Sequence, residues 1–140
     1  MKDMTDNIII FDTSIFIDHL RTNKYVNNFQ NIIGLIRNSS VVLSELLRGA
    51  TKGAEADFVL TLAKNQPVLT PTEKNWMESG EILSKINKDK GFSPEKLRDL
   101  HFDVLIALTA RNYGATVITS NKTDFELIKK YKDFHLVVWY

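Results

Sequence analysis

The sequence predicts an α/β fold in which a mostly parallel sheet is covered by helices on both faces. Short stretches rich in β-branched residues alternate along the chain with longer stretches whose apolar residues recur at helical spacing. The first short stretch, residues 7–11, is almost entirely apolar, which is typical of a strand buried on both faces. This alternation from one end of the chain to the other indicates parallel strands joined by helical connections.

The first half of the chain is expected to contain one further strand and three helices after residues 7–11. They are a short helix over 15–20, a helix over about 25–37, a strand over 41–43, and a helix through 45–62 that is loosened near Gly49 and Gly53. Apolar residues spaced three or four apart predict the second of these elements. Ser44 suits an N-cap, which would place Glu45 in the first helical turn, where the helix dipole favours a carboxylate.

The second half is expected to contain three strands and three helices. They are a strand over 67–70, a helix from Thr72 to about 88–91, a helix from Ser93 to Gly114, a strand over 116–119, a helix over about 124–130 and a strand over 135–139. A serine followed by Pro94 is a helix-start signal, and Gly114 suits the position just after a helix end. No repeat, low-complexity tract or linker interrupts this pattern, so we predict a single domain over residues 1–140.

Composition excludes several kinds of site and leaves others open. The 140 residues contain no cysteine, which excludes disulfides, thiol catalysis and zinc–thiolate sites. The net charge of +1 gives no overall basic field, although a basic rim beside an acidic site would cancel in that sum. Residues 1–6 do not resemble a signal peptide, and no apolar stretch is long enough to cross a bilayer. We therefore expect a cytoplasmic protein without a membrane partner.

Four acidic residues are the main candidates for a functional site. Asp12 follows the first strand, Glu45 the second and Asp124 the fourth, whereas Asp103 lies in the helix before the fourth strand. Open α/β sheets bind ligands beyond the carboxyl ends of their strands. Carboxylates that meet there repel one another unless a cation lies among them. The pattern therefore predicts a divalent-metal site, and with it phosphoryl chemistry.

Each of these residues also has a purely structural interpretation. Asp12 could cap the helix that follows it, and Glu45 could do no more than complement a helix dipole. Asn121 could cap the helix near Asp124. Asp103 is harder to explain in this way, because it lies in an apolar stretch and carboxylates are rarely buried unless they are paired or bind a metal.

Four segments of the chain resemble, in order, the motifs of PIN-domain ribonucleases of the VapC toxin family. They are 8–18 (IIIFDTSIFID), 42–49 (VLSELLRG), 102–110 (FDVLIALTA) and 114–125 (GATVITSNKTDF). The first motif alone would be weak, but four motifs in the right order over nearly the whole chain are specific. The resemblance implies a three-layer α/β/α PIN-like fold with a mostly parallel sheet of about five strands.

The resemblance also implies a metal-dependent endoribonuclease that hydrolyses RNA with Mg²⁺ or Mn²⁺ as its cofactor. The implied catalytic and metal-binding residues are Asp12, Glu45, Asp103 and Asp124, with Ser14 and Asn121 as supporting polar groups. We expect Asp12 and Asp103 to be direct ligands, while the other two acids position the attacking water, act as bases or complete a second metal site. Asn121 stands where some relatives carry an acid, and the number of ions, one or two, stays open.

Expected partners follow from the same resemblance. It implies that the enzyme is the toxin of a type II toxin–antitoxin pair, with a cognate antitoxin protein, an RNA substrate and a second copy of the chain in a homodimer. Arg48 and Lys122 are candidates for contacts with RNA phosphates. Arg48 is favoured because it lies one helical turn from Glu45. Asp99, one turn before Asp103, is interpreted as a solvated acid.

Two other classes of function stay open on the sequence alone. A phosphorylatable receiver domain also places acids and Mg²⁺ at strand ends, but it needs a phospho-accepting Asp on a central strand and a Lys after a late one. The order of the acids, with Glu45 on a helix, does not suit it. A non-catalytic RNA- or protein-binding module of the same fold is the other alternative, although such a module has no reason to keep mutually repelling carboxylates.

Overall fold

The structure, a computed structural model that describes residues 7–140, is built on one sheet of five parallel strands. The strands are β1 (Ile8–Phe11), β2 (Leu35–Ser39), β3 (Val68–Leu69), β4 (Thr116–Thr119) and β5 (His135–Val138). Their order across the sheet is β3-β2-β1-β4-β5. The predicted α/β class and the parallel sheet are confirmed. Residues 1–6, in which we expect no signal peptide, lie outside the described residues.

Seven helices lie between the strands in the described part of the chain. They are α1 (Thr13–Thr22), α2 (Val26–Asn31), α3 (Ser40–Gly49), α4 (Gly53–Asn65), α5 (Glu73–Lys90), α6 (Pro94–Asn112) and α7 (Lys122–Tyr131). The two longest begin where the sequence predicts, because the hydroxyls of Thr72 and Ser93 accept hydrogen bonds from otherwise unpaired first-turn amides at 3.1 and 3.2 Å. None of the helices within residues 7–140 is long and apolar enough to cross a membrane.

Side chains of the central strands pack on opposite faces of the sheet. Ile10 of β1 and Val117 of β4 belong to the larger core, whose other buried side chains come mainly from α3 to α7. Ile9, Phe11 and Ile118 belong to a smaller core with residues of α1 and α2. Because successive residues of a strand point to opposite faces, the sheet is the middle of three layers.

Two predictions in the first half of the chain are wrong. Residues 41–43 lie in α3 and not in a strand, and the helix predicted over about 25–37 ends at Asn31, so the second strand is Leu35–Ser39. Residues 41–43 are buried because they form the inner face of α3 against the larger core. A short apolar run fits a buried helix face as well as a buried strand, so its pattern cannot separate the two.

Gly34 sets the point where the chain enters β2. Its φ angle is 155°, and a Cβ atom on it would lie 2.7 Å from the carbonyl oxygen of Asn7, which is too close for a side chain. The same carbonyl oxygen accepts a hydrogen bond from the amide of Leu35 at 2.7 Å. The close approach of the two segments at this glycine starts the pairing of β1 with β2.

The N-cap of α3 is Ser39, and the sequence-based prediction of Ser44 as the cap is wrong. The Ser39 hydroxyl accepts hydrogen bonds from the amides of Val41 and Val42 at 3.2 and 3.4 Å. Helix α3 therefore begins earlier, and Glu45 lies in its second turn. The helix dipole acts mainly within the first turn, so it does not explain a carboxylate at this position.

The carboxyl edge of the sheet brings distant parts of the chain together. Phe11 at the end of β1 pairs with Ile118 of β4, and the amide of Asp12 donates a hydrogen bond to the Ile118 carbonyl oxygen at 2.9 Å. Strand β2 leads directly into α3, and β4 leads through a short turn into α7. The connections after β1, β2 and β4 therefore open on one edge, where ligands of such sheets bind.

Candidate active site

The four acids predicted from the sequence line one pocket at this edge. The pocket is lined by Asp12, Thr13, Ser14, Ile17, Glu45, Asp99, Asp103, Asn121 and Asp124. Four elements supply these residues, namely α1 with its N-cap, α3, α6 and α7 with its N-cap. Asp103, which comes from the helix before β4, therefore faces the same space as the acids that follow the strands.

Asp12 is held by hydroxyl groups rather than by the helix that it precedes. It occupies the N-cap position of α1, but its side chain forms no capping hydrogen bond. Its Oδ2 accepts hydrogen bonds from Ser14 at 2.7 Å and from Thr119 at 2.8 Å. Burial raises the pKa of the Asp12 carboxyl, and these two hydrogen bonds partly oppose that rise. Asp12 is thus a fixed carboxylate, and helix capping does not account for it.

Glu45 reaches the pocket from the second turn of α3. Its Oε1 accepts a hydrogen bond from the Thr13 hydroxyl at 2.9 Å. Burial is the main cause that raises the pKa of Glu45, with a further rise from the charge of Asp12. The hydrogen bond from Thr13 and the charge of Arg48 act in the opposite direction. Glu45 therefore has a raised proton affinity and one oxygen, Oε2, that carries no side-chain hydrogen bond within the described residues.

Asp103 is a carboxylate whose pKa the pocket raises strongly. Its pKa is raised from 3.8 to about 9, mainly by burial and, in decreasing order, by the charges of Asp12, Glu45 and Asp124. The charge of Lys96 partly offsets this rise. Within residues 7–140, no side chain donates a hydrogen bond to the Asp103 carboxylate. This group therefore lies among like charges without a direct hydrogen bond from the part of the chain that the structure describes.

Asp124, in contrast, has both carboxylate oxygens engaged by the chain. Lys96 Nζ lies 2.7 Å from Oδ1, and the Asn121 amide nitrogen Nδ2 donates to Oδ2 at 3.0 Å. Asn121 is also the N-cap of α7, since its Oδ1 accepts a hydrogen bond from the Asp124 backbone amide at 3.4 Å. The capping role suggested for Asn121 is therefore present, and it also holds the side chain of Asp124.

The remaining residues singled out in the sequence lie around this centre. Ser14 links the ends of β1 and β4. Its hydroxyl donates a hydrogen bond to Asp12, which follows β1, and accepts one at 3.1 Å from the amide of Ser120, which follows β4. Arg48 is exposed, with its guanidinium carbon 5.3 Å from the centre of the Phe102 ring. Lys122 is exposed in the first turn of α7 and does not line the pocket. Asp99 is solvent-exposed as interpreted, yet it lies on the pocket rim.

Three residues that contact the acids were missed in the sequence. Thr13 and Thr119 position Glu45 and Asp12, and Lys96 forms an ion pair with Asp124. Two of them carried a signal, because Thr13 adjoins Asp12 and Lys96 lies seven residues before Asp103, which places both on one helix face. Thr119 at the end of β4 is fully buried, and the sequence pattern does not mark it as polar support.

The chemistry of this donor set fits a hard divalent cation. All four candidate ligands are carboxylates, and Mg²⁺ prefers oxygen ligands, keeps several waters and needs only one or two carboxylates. A cation beside Asp103 would relieve the repulsion that raises the pKa of that carboxyl. Within residues 7–140, no three acidic or histidine side chains are arranged as a group that could hold a metal ion.

An apolar groove runs up to the acidic pocket from the side of α1, α3 and α4. It encloses about 320 Å³ and is lined by Ile17, Leu20, Arg21, Glu45, Leu46, Gly49, Glu55, Phe58 and Val59. Leu20 is 57% exposed, which is unusual for a leucine that adjoins other apolar side chains. Ile17 and Glu45 line both the groove and the acidic pocket, so the two spaces adjoin each other.

Comparisons with known families and structures match most of the chain. A family model described as "PIN domain" matches residues 9–131. One similar chain belongs to the crystal structure of VapBC2 from Rickettsia felis, which is bound to a DNA fragment from the VapBC2 promoter. It is 25% identical to this chain with a TM-score of 0.66, and the match covers 95% of this chain and 99% of that chain. A chain in the VapBC-1 structure from nontypeable Haemophilus influenzae is 20% identical with a TM-score of 0.70, over 94% and 98%. A chain in DNA-bound VapBC from Salmonella typhimurium is 23% identical with a TM-score of 0.62, over 96% and 99%. Comparison with curated proteins gave no match.

Proposed function

We propose that this chain, which belongs to the PIN-domain family, is a metal-dependent endoribonuclease and the toxin of a type II toxin–antitoxin pair. The observation that carries the proposal is the pocket in which Asp12, Glu45, Asp103 and Asp124 meet. A fold gains nothing from an unbonded carboxylate whose pKa is raised to about 9 by burial and three like charges, so a functional reason is needed.

The proposal assigns Asp12 and Asp103 as the direct ligands of a Mg²⁺ or Mn²⁺ ion. When bound, such an ion supplies charge neutralisation at the scissile phosphate and a water of lowered pKa. Asp103 suits this role because no side chain of the described residues bonds to its carboxylate. Asp12 suits it because hydroxyls of Ser14 and Thr119 fix one of its oxygens, Oδ2, and so orient the other.

The chain's own groups divide the remaining work. Glu45 accepts the proton of the attacking water through Oε2, since Thr13 holds Oε1 and burial raises the pKa of this carboxyl. The water oxygen attacks phosphorus, and the bond to the leaving oxygen of the RNA breaks. Asp124 completes the negative pocket, with its orientation set by Asn121 and Lys96. Arg48 and Lys122 are proposed to contact RNA phosphates on the rim.

An antitoxin partner is supported by the similarity to chains of VapBC complexes and by the apolar groove. The groove ends at Glu45, so an apolar segment bound there would block substrate access to the acidic pocket. We propose that a cognate antitoxin occupies this groove and that the toxin is a homodimer. We also propose that the free toxin acts on cellular RNA in the cytoplasm.

Two substitutions test the proposed nuclease. Asp12→Asn and Asp103→Asn should each lower cleavage of single-stranded RNA in Mg²⁺ or Mn²⁺ by about a hundredfold or more, because each removes one metal-binding charge. Asp57→Asn, an exposed acid on α4 outside the pocket, is the matched control and should cleave like the unmodified protein. EDTA should stop cleavage by both active proteins.

The alternatives make different predictions in the same assay. Cleavage that persists in EDTA, or full activity of Asp103→Asn, would contradict the metal-dependent nuclease. Binding of RNA without turnover in excess Mg²⁺ and Mn²⁺ would favour a non-catalytic module. A receiver domain is disfavoured by Glu45 on a helix, and stable phosphate incorporation from a small phosphodonor would be needed to support it.

A further inference from the structure

Lys96 places an ammonium group directly against the acidic pocket. It lies in the first turns of α6, where the Ser93 hydroxyl accepts a hydrogen bond from its backbone amide. Its Nζ is 2.7 Å from Asp124 Oδ1 and 6.0 Å from the centre of the Phe92 ring. The Asp124 side chain is only 13% exposed, so this is an ion pair at the border of the interior rather than a solvated surface pair.

The ion pair divides the four acids into two unequal sets. Both oxygens of Asp124 are bonded to the chain's own donors, Lys96 and Asn121. Within the described residues, the Asp103 carboxylate has no such donor, and Glu45 uses only one oxygen in a side-chain hydrogen bond. A cation that enters the pocket therefore finds available oxygens near Asp103 and finds a positive charge already present at Asp124.

We propose that Lys96 is a positioning residue whose ammonium is the permanent counter-ion of Asp124 and limits the site to one divalent ion. The inference rests on the proposed function in one respect, namely that a divalent ion binds at Asp12 and Asp103. The inference also assigns a second role to Asn121. Its amide donates a hydrogen bond to Asp124, whereas a carboxylate at this position would have added another metal ligand.

The physical reason is electrostatic competition at one carboxylate. Two-metal nucleases hold their ions about 3.5–4 Å apart, so a second ion needs a carboxylate next to the first. Asp124 is the acid left for that purpose, and an ammonium in contact with it would repel a second divalent ion strongly over a few ångströms. Without metal, the same ammonium lowers the repulsion among the acids, since its charge opposes the raised pKa of Asp103.

A titration of the metal-free protein with Mn²⁺, followed by calorimetry and by the loss of the free-Mn²⁺ spin-resonance signal, tests this inference. The variant is Lys96→Met, which keeps the apolar stem near Phe92 and removes the charge. Arg98→Met is the matched control, because it removes one positive charge from the same helix at a side chain that is 69% exposed and pairs only with Glu95, at 3.6 Å. Neither readout depends on RNA cleavage.

We expect one bound Mn²⁺ for the unmodified protein and for Arg98→Met. Lys96→Met should bind a second ion, or bind the first about tenfold or more tightly. In EDTA, Lys96→Met should also melt at a lower temperature than Arg98→Met, and added Mn²⁺ should reduce this difference. Lys96→Arg, which keeps the charge, should retain one ion and serves as the folded comparison if Lys96→Met proves unstable.

Several results would overturn the inference. They are two Mn²⁺ ions in the unmodified protein, equal metal binding by Lys96→Met and Arg98→Met, or a second ion in Lys96→Arg. Failure of the proposed function is recognised separately, by absence of RNA cleavage in the unmodified protein. If the protein cleaves RNA but substitution of Lys96 does not change Mn²⁺ binding, only the role of Lys96 is refuted. If the protein does not cleave RNA but shows the expected Mn²⁺ stoichiometries, only the proposed nuclease activity is refuted.

Discussion

At the scale of single residues, the pocket is organised by how differently its four carboxylates are satisfied. Asp12 accepts two hydroxyl hydrogen bonds, and Asp124 accepts an ion pair and an amide hydrogen bond. Asp103 accepts no side-chain hydrogen bond within residues 7–140, and three like charges outweigh the opposing charge of Lys96. The cost of this arrangement in the metal-free protein falls on Asp103, because it must either lose its charge or repel its neighbours. A bound cation would remove that cost.

This imbalance predicts how the stability of the metal-free protein depends on pH. Asp103 ionises near 3.8 in the unfolded chain and at about 9 in the folded one. Between these values the folded state holds a proton that the unfolded state has lost, so the free energy of unfolding should fall as pH rises from about 4 to about 9. Asp103→Asn should weaken this decrease and raise the free energy of unfolding at pH 8 by about 1–3 kcal/mol.

Denaturant unfolding in EDTA at pH 5 and pH 8 measures both effects. Asp57→Asn is again the control, because its side chain is exposed on α4 and makes no contact with the pocket. The idea fails if Asp103→Asn keeps the full pH dependence of the unmodified protein, or if Asp57→Asn stabilises the fold to the same extent. Added Mn²⁺ should stabilise the unmodified protein more at pH 8 than at pH 5.

The sequence could identify the acids but not the groups that hold them. Carboxylates at strand ends and inside an apolar helix stretch break a pattern, so Asp12, Glu45, Asp103 and Asp124 stand out. Thr119 breaks no pattern, because a threonine suits a strand. Lys96 shares a helix face with Asp103, but a lysine also suits an exposed helix turn, so this spacing does not reveal its contact with Asp124. Their roles arise only from the crossing of α6 past α7 and from the pairing of β4 with β1.

At the scale of elements, the segment from β2 to α3 positions Glu45. Ser39 ends the strand and caps the helix at once, and residues 41–43 anchor the helix in the larger core. Glu45 then projects from the second turn toward Thr13 of α1. The sequence misplaced this segment by several residues, because its apolar run matches both a strand and a buried helix face.

The position of the cap gives a direct test of this segment. Ser39→Ala removes the hydroxyl that accepts hydrogen bonds from the amides of Val41 and Val42, and should lower the free energy of unfolding by about 1 kcal/mol. Ser44→Ala, on the exposed side of the same helix, should change it by less than about 0.5 kcal/mol. Urea denaturation of both variants decides the matter, and the reverse order would restore Ser44 as the cap.

Elements with strong boundary signals were predicted well for a physical reason. Thr72 and Ser93 are the N-caps of α5 and α6. The sequence predicts these helix starts because a capping hydroxyl is a local interaction. Strand β2 has no such signal, since its start depends on the close approach of Gly34 to the Asn7 carbonyl oxygen, 27 residues earlier. Local signals are therefore predictable, and contacts made by the fold are not.

At the scale of the whole molecule, the acidic pocket and the apolar groove adjoin each other. Ile17 and Glu45 belong to both, and α1 supplies the side of the groove on which Leu20 is exposed. A protein segment seated in the groove would cover apolar area and close the pocket in a single step. RNA cleavage and antitoxin binding would thus depend on different residues, so a mutation could change one without the other.

Leu20→Glu should separate them. Leu20 is 57% exposed in the groove and does not line the acidic pocket, so the variant should fold and should cleave RNA as the unmodified protein does. A buried charge at the centre of an apolar contact should weaken binding of the antitoxin by about tenfold or more. The measurement uses the purified cognate antitoxin, with affinity and inhibition of cleavage recorded together. Met77→Glu, a 69% exposed apolar residue of α5 outside the groove, is the control. Equal loss of affinity in both variants, or none in either, would show that the partner does not use the groove.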